Sequence, residues 1–365
     1  MKILIFSNST NNILNYRLNL IFFLKKKGHQ LEILVPQSTD LKKLKFLKLK
    51  IHTIYFNPRS INFFLDLLLL FKIYKIFNLS KPDLILQYTI KPVIYGSLVS
   101  RFLNIKVINT ITGLGSAFLN KNFRKLIIFL YFVSQKKAKK VIFQNNADKN
   151  VFLKNKIVHK NQFEVINGSG FDPVKFKLTL LPRKPPTVFV LISRILKDKG
   201  ILEYIKAARE LKNIYKNKVK FLLVGKLQKS KFFIDKSILK NAVKKKFIIY
   251  YKETDYVNKF IKKAHCIVLP SYREGFSKIL MEGASMGRPL ITSKVPGCKE
   301  IVKNNISGYL CKSKNYINLM YFMKKIINAN VSDLSKMGIE GRRHVIANYS
   351  EKKILTEIYN TILKN

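Results

Sequence analysis

Short apolar runs alternate with amphipathic stretches along most of this chain. The first half contains apolar runs, each bounded by polar or turn-forming residues, that predict strands at 2–8, 31–36, 51–56, 83–89, 107–112, 141–144 and 163–166. Between several of them the apolar residues recur at helical spacing, at 16–27, 61–77, 94–103 and 122–136. An alternation of strands and helices predicts a doubly wound parallel sheet.

A second series of the same kind follows a change of rhythm near residue 172. The proline-rich, basic segment 181–186 predicts an interdomain linker. Strands are expected at 188–193, 220–224, 247–251, 267–270 and 289–292, and helices at 202–211, 257–263, 277–286 and 350–364. We therefore expect an α/β protein with two domains of similar size and a cleft between them.

The charge of the chain is strongly positive. Its 365 residues carry 69 Lys and Arg against 20 Asp and Glu, a formal net charge of +49, and 47% of them are apolar. The apolar fraction is sufficient for real cores, and the charge favours polyanions: nucleic acid, an anionic bilayer or phosphorylated substrates. The competing explanation is codon bias, since a chain this rich in Lys, Asn, Ile and Phe is typical of an AT-rich genome, and we expect this bias to explain most of the lysines. Three widely spaced cysteines indicate neither a disulfide framework nor a zinc site and suit a reducing cytoplasm.

The segment 271–282, SYREGFSKILME, contains the most informative chemistry. A buried strand, a glycine turn and a helix put Glu274 in the loop at the strand's carboxyl end and Glu282 two turns into the helix. Ligands of open α/β sheets sit at that edge, where two carboxylates can accept hydrogen bonds from the vicinal hydroxyls of a sugar or ribose. The alternative is an ordinary helix charge beside one solvated glutamate.

A basic turn opens the second domain. Arg194 ends a strand, and Lys199 and Gly200 precede a helix, so the two cations flank a helix N-terminus that already favours anions. The guanidinium fork and the mobile ammonium suit a diphosphate. Gly225 is a further glycine at a strand end. Because no Asp-x-Asp pair occurs and the five histidines are scattered, we expect no metal.

The first domain has polar or glycine-containing segments after three of its predicted strands. Gly113 and Gly115 form an incomplete dinucleotide fingerprint and suit a loop whose backbone approaches a ligand. The other candidates are Asn8, Ser9 and Thr10 after the first strand and Tyr88 at the end of another, although Tyr88 could equally be a core residue.

Together these segments resemble the retaining glycosyltransferases of family four, whose GT-B architecture has two facing Rossmann-like domains. The resemblance rests on Glu274-x7-Glu282, on the turn from Arg194 to Lys199 and on the segments 88–96 and 109–115, and it covers essentially the whole chain. The last two segments resemble the bacterial branch that builds glycans on polyprenyl diphosphate carriers. The resemblance implies domains at 1–178 and 179–349 and a C-terminal helix, 350–365, that packs back toward the first domain.

The family also implies roles for the candidate residues. Arg194 and Lys199 would hold the nucleotide diphosphate, and Glu274 would bind hydroxyls of the donor sugar. Donor binding would further involve Glu282 on the ribose with Gly275, Phe276, Ser277 and Gly225. The acceptor side would be lined by Asn8, Ser9, Thr10, Tyr88, Thr112, Gly113 and Gly115. Many relatives have a histidine near the position of Thr112, so the role of that histidine does not transfer to this chain.

The implied reaction is a transfer of a hexose or N-acetylhexosamine from a nucleotide diphosphate sugar, with UDP favoured, to a polyprenyl-diphosphate-linked saccharide. No cofactor or metal is expected, and front-face displacement needs no dedicated base. The enzyme would be cytoplasmic, at the anionic inner face of the plasma membrane through 42–50 and the helix 61–75, and would not bind nucleic acid. The alternatives are a nucleotide-sugar epimerase on the same fold and a basic nucleic-acid-binding protein.

Overall fold

The chain forms two compact units. The computed structural model describes residues 1–57, 62–114, 118, 121–227, 233–254 and 256–364. Residues 1–169 with 354–365 make the first unit, and residues 170–353 make the second. The predicted boundaries, 178/179 and 349/350, compare with divisions at 169/170 and 353/354.

The first unit is built on a seven-stranded parallel sheet with the order β3-β2-β1-β4-β5-β6-β7. Its strands are β1 Lys2–Phe6, β2 Gln30–Pro36, β3 Lys50–Ile54, β4 Leu84–Tyr88, β5 Lys106–Ile111, β6 Lys140–Phe143 and β7 Phe163–Val165. Its helices up to residue 169 are α1 Thr10–Tyr16, α2 Leu18–Lys26, α3 Phe63–Ser80, α4 Ser97–Phe102, α5 Lys121–Gln135 and α6 Asn146–Lys154.

Strand β1 shows why this sheet is buried on both faces. Ile3 and Ile5 pack into one core cluster, whereas Leu4 and Phe6 pack into another. Successive side chains of a strand point to opposite faces, so a strand covered on both sides must be apolar throughout. The run of apolar residues in β1 therefore indicates a parallel sheet with helices on both faces.

The second unit repeats this architecture with a six-stranded parallel sheet of order β10-β9-β8-β11-β12-β13. Its strands are β8 Thr187–Ile192, β9 Val219–Val224, β10 Ile249–Tyr251, β11 Cys266–Leu269, β12 Leu290–Ser293 and β13 Gly308–Cys311. Its helices are α7 Ile201–Tyr215, α8 Lys236–Lys244, α9 Val257–Lys263, α10 Lys278–Ser285, α11 Tyr316–Asn328 and α12 Val331–Tyr349. Both sheets have the strand order of a Rossmann-like fold, as predicted.

The last helix, α13 Glu351–Leu363, returns to the first unit. Ile354, Ile358 and Ile362 lie in the core cluster that includes Ile3 and Ile5. The prediction that the C-terminal helix packs back on the first domain is confirmed. Ile354, Ile358 and Ile362 are spaced four residues apart, which puts their side chains on one face of the helix.

The proline-rich segment 181–186 is not a free linker, as the sequence suggested, because it lies inside the second unit. Lys184 Nζ donates three hydrogen bonds of 2.8 to 3.0 Å to carbonyl oxygens at the C-terminal end of α11. An ammonium at a helix C-terminus satisfies carbonyls that have no partner within the helix. No local pattern indicated this contact, since Lys184 and the three accepting carbonyls are 142 to 145 residues apart.

Arg288 ties the two residues just before this segment, Thr179 and Leu180, to the rest of the second unit. The residue is fully buried, and its guanidinium donates to five backbone carbonyl oxygens and to Thr179 Oγ1 over distances of 2.6 to 3.2 Å. Burial lowers the pKa of Arg288 to about 10, so the side chain stays charged at neutral pH. A buried cation is tolerated here because hydrogen bonds replace its hydration.

We expect Arg288→Met to destabilise the protein by roughly 3–5 kcal/mol, because the apolar side chain would leave several buried carbonyls without a donor. Urea unfolding followed by circular dichroism measures the change. Arg209→Met on the exposed surface of α7 is the matched control, expected to stay within about 0.5 kcal/mol of wild type. A loss below about 1 kcal/mol in Arg288→Met would contradict the role of this network.

Candidate functional site

The loops after β8 and β11 leave the carboxyl edge of the second sheet side by side. Strand order reverses between these two paired strands, so this is the topological switch point of the unit. Ligands of open α/β sheets bind in the crevice outside such a point. The candidate residues Arg194 and Lys199 belong to the first loop, and Glu274 belongs to the second.

Lys199 and Glu274 form an ion pair at this position. Lys199 Nζ lies 2.6 Å from Glu274 Oε1, and the two side chains are only 10% and 15% exposed. Ser271 Oγ donates to the same oxygen at 2.6 Å. Two donors on one oxygen hold the carboxylate in a single orientation, and shielding from water makes the attraction stronger than in a surface pair.

Glycines allow these loops to approach each other. Gly200 has φ +72°, and a Cβ there would lie 2.1 Å from Pro270 O, closer than any real contact. Gly225, after β9, has φ +155°, and a Cβ there would lie 1.7 Å from Ser193 O. Both positions therefore require glycine, which explains the strand-end glycine at 225 as a packing residue next to the loop that contains Arg194.

Arg194 differs from Lys199 in being exposed. Its backbone carbonyl accepts a hydrogen bond from Leu196 N at 2.9 Å, which turns the chain directly after β8. No described residue accepts a hydrogen bond from the exposed guanidinium, whereas the ammonium of Lys199 is held by Glu274. One held cation and one exposed cation at a strand end suit an anion with several oxygens.

Glu282 lies in the second turn of α10 and is 6% exposed, as the sequence placed it. Burial raises the pKa of Glu282 to about 7, and the nearby cations Lys278 and Lys175 partly counteract this rise. Lys278 Nζ lies 3.8 Å from Glu282 Oε1. The carboxylate is therefore kept in a poorly solvated position at the cost of folding stability.

The residues between the two glutamates hold the loop in shape. Phe276 is buried and packs edge-on against Tyr349, with ring centroids 4.9 Å apart, so its ring belongs to the core. Ser277 is the N-cap residue of α10, and its backbone N–H donates to Gly297 O at 2.9 Å. Gly275, between Glu274 and Phe276, is partly exposed.

The residues predicted for the acceptor side belong to the first unit, and those that the structure describes lie at the carboxyl ends of its strands. Asn8, Ser9 and Thr10 follow β1, and Ser9 caps α1 by accepting a hydrogen bond from Asn12 N at 3.1 Å. Thr112 and Gly113 follow β5 and are partly exposed, whereas Gly115 lies outside the described residues.

Tyr88 is the last residue of β4 and is 2% exposed. The sequence allowed either a residue that lines the acceptor side or a core residue, and this burial favours the core residue.

Several contributors to the site were missed by sequence reasoning. Ser271 orients Glu274, and Pro296 O accepts a hydrogen bond from Glu274 N at 3.2 Å. A further carboxylate, Glu203, accepts a hydrogen bond of 2.7 Å from the hydroxyl of Tyr272. The Pro-Gly dipeptide at 296–297 after an apolar run was a usable turn signal, but nothing local links Glu203 to Tyr272.

Comparison with protein families assigns both halves of the chain. Residues 2–145 match the family Glycosyl transferase 4-like, and residues 175–344 match the family Glycosyl transferases group 1. The chain is 27% identical over 335 residues, 86% of each protein, to the N,N'-diacetylbacillosaminyl-diphospho-undecaprenol alpha-1,3-N-acetylgalactosaminyltransferase of Campylobacter jejuni. It is 24% identical to the UDP-Gal:alpha-D-GlcNAc-diphosphoundecaprenol alpha-1,3-galactosyltransferase of Escherichia coli, over 76% of this chain and 74% of that protein.

Solved structures share the fold over the full length. The structure of Anabaena Alr3699/HepE in complex with UDP and glucose superposes with a TM-score of 0.81 at 17% identity, covering 100% of both chains. A glycosyltransferase from Rickettsia africae superposes with a TM-score of 0.77 at 22% identity, covering 100% of this chain and 99% of that one. These likenesses confirm the predicted fold class.

We expect Glu282→Gln to stabilise the protein at pH 8 and not at pH 4.5. The raised pKa means that the wild type loses stability as the pH rises from about 4.5 through about 7, by up to roughly 3 kcal/mol, and a neutral amide escapes this loss. Urea unfolding at the two pH values measures the difference. Glu340→Gln, at an exposed position on α12, is the control. Equal effects at both pH values would contradict the burial of an ionised Glu282.

Proposed function

Because the chain belongs to the glycosyltransferases, with a glycosyl transferase 4-like domain at 2–145 and a group 1 domain at 175–344, we propose that it is a retaining enzyme that uses UDP-activated sugars. It moves a hexose or N-acetylhexosamine to a lipid-diphosphate-linked saccharide during the assembly of a bacterial cell-surface or glycoprotein glycan. The observation that carries the proposal is the Lys199–Glu274 ion pair at the switch point of the second unit.

The pair provides both kinds of group that a sugar nucleotide needs. An ammonium has three donors, so Lys199 can keep its bond to Glu274 and still donate to a phosphate oxygen. The carboxylate of Glu274, held by Ser271, accepts hydrogen bonds from hydroxyls of the donor sugar. Arg194 adds a second cation from the solvent side, and Glu282 accepts from the ribose hydroxyls.

The cations also act in the chemical step. When the glycosidic bond to the nucleotide breaks, negative charge develops on the leaving diphosphate, and fixed positive groups that need no reorganisation stabilise it. In a front-face displacement the leaving phosphate oxygen removes the proton from the acceptor hydroxyl while that hydroxyl attacks the same face of the sugar. Protein cations take the place of a metal ion in this mechanism, and no protein base is required.

The names of the relatives support the choice of donor and acceptor. The Escherichia coli relative is named for a UDP-galactose donor, and both relatives are named for diphosphoundecaprenol-linked acceptors. The Anabaena structure holds UDP and glucose on the same fold. We carry these substrate classes, and not the particular sugars, to this chain.

An anionic membrane surface is part of the proposal, since such an acceptor is embedded in a bilayer. Within the described residues, no helix has the length and apolar character needed to cross a membrane. Helix α3 instead has two contrasting faces. One contains Leu69, Ile73 and Phe77, which are buried in the core. The other exposes large apolar side chains, between 53% and 77% of each, namely Phe64, Leu65, Leu67, Leu68 and Phe71.

Lysines are exposed beside this apolar face and, separately, in the segment 39–47, whose buried leucines pack in the core cluster on the other face of the sheet. Lys75 Nζ lies 4.6 Å from the ring centroid of Phe71, at the edge of the apolar surface. In the 3₁₀-helical segment 39–47, Leu44 and Leu47 are buried, whereas the lysines between and around them are exposed. Apolar groups that insert at the lipid interface, bordered by cations for anionic headgroups, are typical of peripheral binding.

Calorimetric titration with UDP and with GDP in the presence of EDTA tests the proposed function. We expect UDP to bind and Arg194→Ala to weaken it by at least tenfold, because a charge-assisted contact to the diphosphate is lost. Arg209→Ala, an exposed arginine of the same unit, is the matched control and should bind UDP like wild type. With donor and a polyprenyl-diphosphate-linked acceptor, Glu274→Ala should abolish transfer, while Glu282→Ala should chiefly weaken donor binding.

Four outcomes would contradict this proposal. Full transfer by Glu274→Ala would overturn the site assignment. Loss of UDP binding on adding EDTA would overturn the metal-free mechanism. Conversion of the donor sugar without an acceptor would favour an epimerase, and binding of short DNA without binding of either nucleotide would favour a nucleic-acid-binding protein.

Flotation with vesicles tests the membrane surface. We expect recovery with phosphatidylglycerol vesicles to exceed recovery with phosphatidylcholine vesicles and to fall with salt. Replacing Leu67, Leu68 and Phe71 by serine should reduce recovery at least tenfold because less apolar area enters the interface.

The matched control is the pair Ile317→Ser and Tyr321→Ser, which lies on the exposed surface of α11 in the second unit. Equal, salt-insensitive recovery with both vesicle types would contradict peripheral attachment. Equal recovery of the α3 and α11 variants would show that attachment does not involve α3.

A further inference from the structure

The first unit contains a buried cation without an anionic partner. Arg17 is 2% exposed, and its Nε is buried with no hydrogen-bond partner. Among the described residues, no carboxylate lies within ion-pair distance of it. Its close contact is with the ring of Tyr88, whose centroid lies 3.8 Å from the guanidinium carbon. Burial lowers the pKa of Arg17, and the neighbouring tyrosines counteract this only in part.

Arg288 shows what a structural arginine looks like in this protein. Both arginines are buried, but the Arg288 guanidinium donates to six described oxygens within 3.2 Å. Burying an ion costs several kcal/mol, and a cation–π contact returns about 2 kcal/mol. The surroundings of Arg17 therefore leave most of this cost uncompensated, as expected at a site whose counter-ion is a ligand.

Arg17 occupies a position that suits a ligand. Helix α1 ends at Tyr16 and α2 begins at Leu18, so Arg17 is the break between them. Tyr88 is the last residue of β4, which pairs with β1 at the point where the strand order of the first sheet reverses. The guanidinium thus lies at the switch point of the first unit, the counterpart of the Lys199–Glu274 position in the second.

Two further features mark the same edge. Ser7 follows β1 directly, and its hydroxyl is buried without a partner. Thr89 follows Tyr88 with φ +75°, a conformation that β-branched residues rarely adopt. Unpartnered polar groups and local backbone strain tend to cluster at functional sites. The buried cation, the hydroxyl and the strained turn all belong to the segments at or next to the carboxyl ends of β1 and β4.

We propose that Arg17 binds the diphosphate of the lipid-linked acceptor. This inference rests on the proposed function, which involves two diphosphates: the one of the donor, assigned to Arg194 and Lys199 in the second unit, and the one of the acceptor. The guanidinium forms paired, charge-assisted hydrogen bonds to phosphate oxygens, and Ser7 Oγ adds a neutral donor. A phosphate ester without the second phosphate would bind more weakly, because it offers fewer oxygens.

Calorimetric titration with inorganic diphosphate, on full-length protein saturated with UDP, tests this site separately from the donor site. We expect saturable binding by the wild type and an affinity at least tenfold lower in Arg17→Met. UDP affinity should be unchanged in the variant. Arg101→Met, an exposed arginine on α4, removes the same charge from the same unit and should bind diphosphate like wild type.

Stability separates ligand binding from a structural role. Removing an unpaired buried charge should leave the unfolding midpoint of Arg17→Met unchanged or raised, while Arg17→Lys should keep part of the diphosphate affinity. In transfer assays, Arg17→Lys should raise KM for the polyprenyl-diphosphate-linked acceptor at least tenfold and leave KM for the donor unchanged. If Arg17→Met does not fold, Arg17→Lys provides both measurements.

The possible contrary results distinguish a failure of the Arg17 site from a failure of the proposed function. The site would be overturned if the wild type did not bind diphosphate, or if both Arg17 variants bound it with the affinity of the wild type. A tenfold loss of UDP affinity would assign Arg17 to the donor instead and would also overturn it. Diphosphate binding that depends on Arg17 in a protein that neither binds UDP nor transfers sugar would uphold the site while the proposed function fails.

Discussion

The structure depends on one constraint: both faces of its two parallel sheets are covered, so polar side chains are excluded from most of each strand. Because helices pack on each face, the strands are apolar throughout, and polar chemistry is left to the loops at the strand ends. Parallel strands all end at one edge, so loops distant in sequence become neighbours there. Lys199 and Glu274 are 75 residues apart and meet at 2.6 Å for this reason.

Three buried charged residues differ in how far contacts within the chain compensate the cost of burying the charge. Arg288 is surrounded by carbonyl oxygens and holds the second unit together. Lys278 and Lys175 compensate the burial of Glu282 only in part, and its raised pKa measures the remaining cost. Arg17 has an aromatic ring and no described anion. The less complete the compensation within the chain, the stronger the argument that a ligand completes it.

The apolar surface of α3 is linked to the interior by a buried ion pair. Lys91 Nζ lies 2.5 Å from Asp66 Oδ1, with side chains 10% and 11% exposed. Asp66 belongs to α3, and Lys91 lies between the strained Thr89 and a π-helical turn at Pro92–Gly96. The helix with the proposed membrane face is therefore joined directly to the loop that follows β4, next to Arg17 and Tyr88.

Much of the fold was predictable from the sequence, since an apolar run bounded by turn residues reports a buried strand wherever it occurs. The predicted strands are confirmed within one or two residues at most ends, and Glu274 and Glu282 occupy the predicted loop and helix. The sequence did not reveal β13, a short strand after a polar turn, or the helices α1, α6, α8, α11 and α12, several of which lie in lysine- and asparagine-rich stretches that blur the helical spacing.

The sequence by itself determined which residues form the two sheets and which polar residues follow their strands, because both are local patterns. The tertiary structure alone decided that Ser271 and Lys199 share one oxygen of Glu274 and that Arg17 is buried against Tyr88. It also decided that residues 181–186 bond to the end of α11 and to His265 instead of linking domains. Such contacts join residues far apart in the chain. They depend on strand order and helix placement, which no local sequence pattern determines.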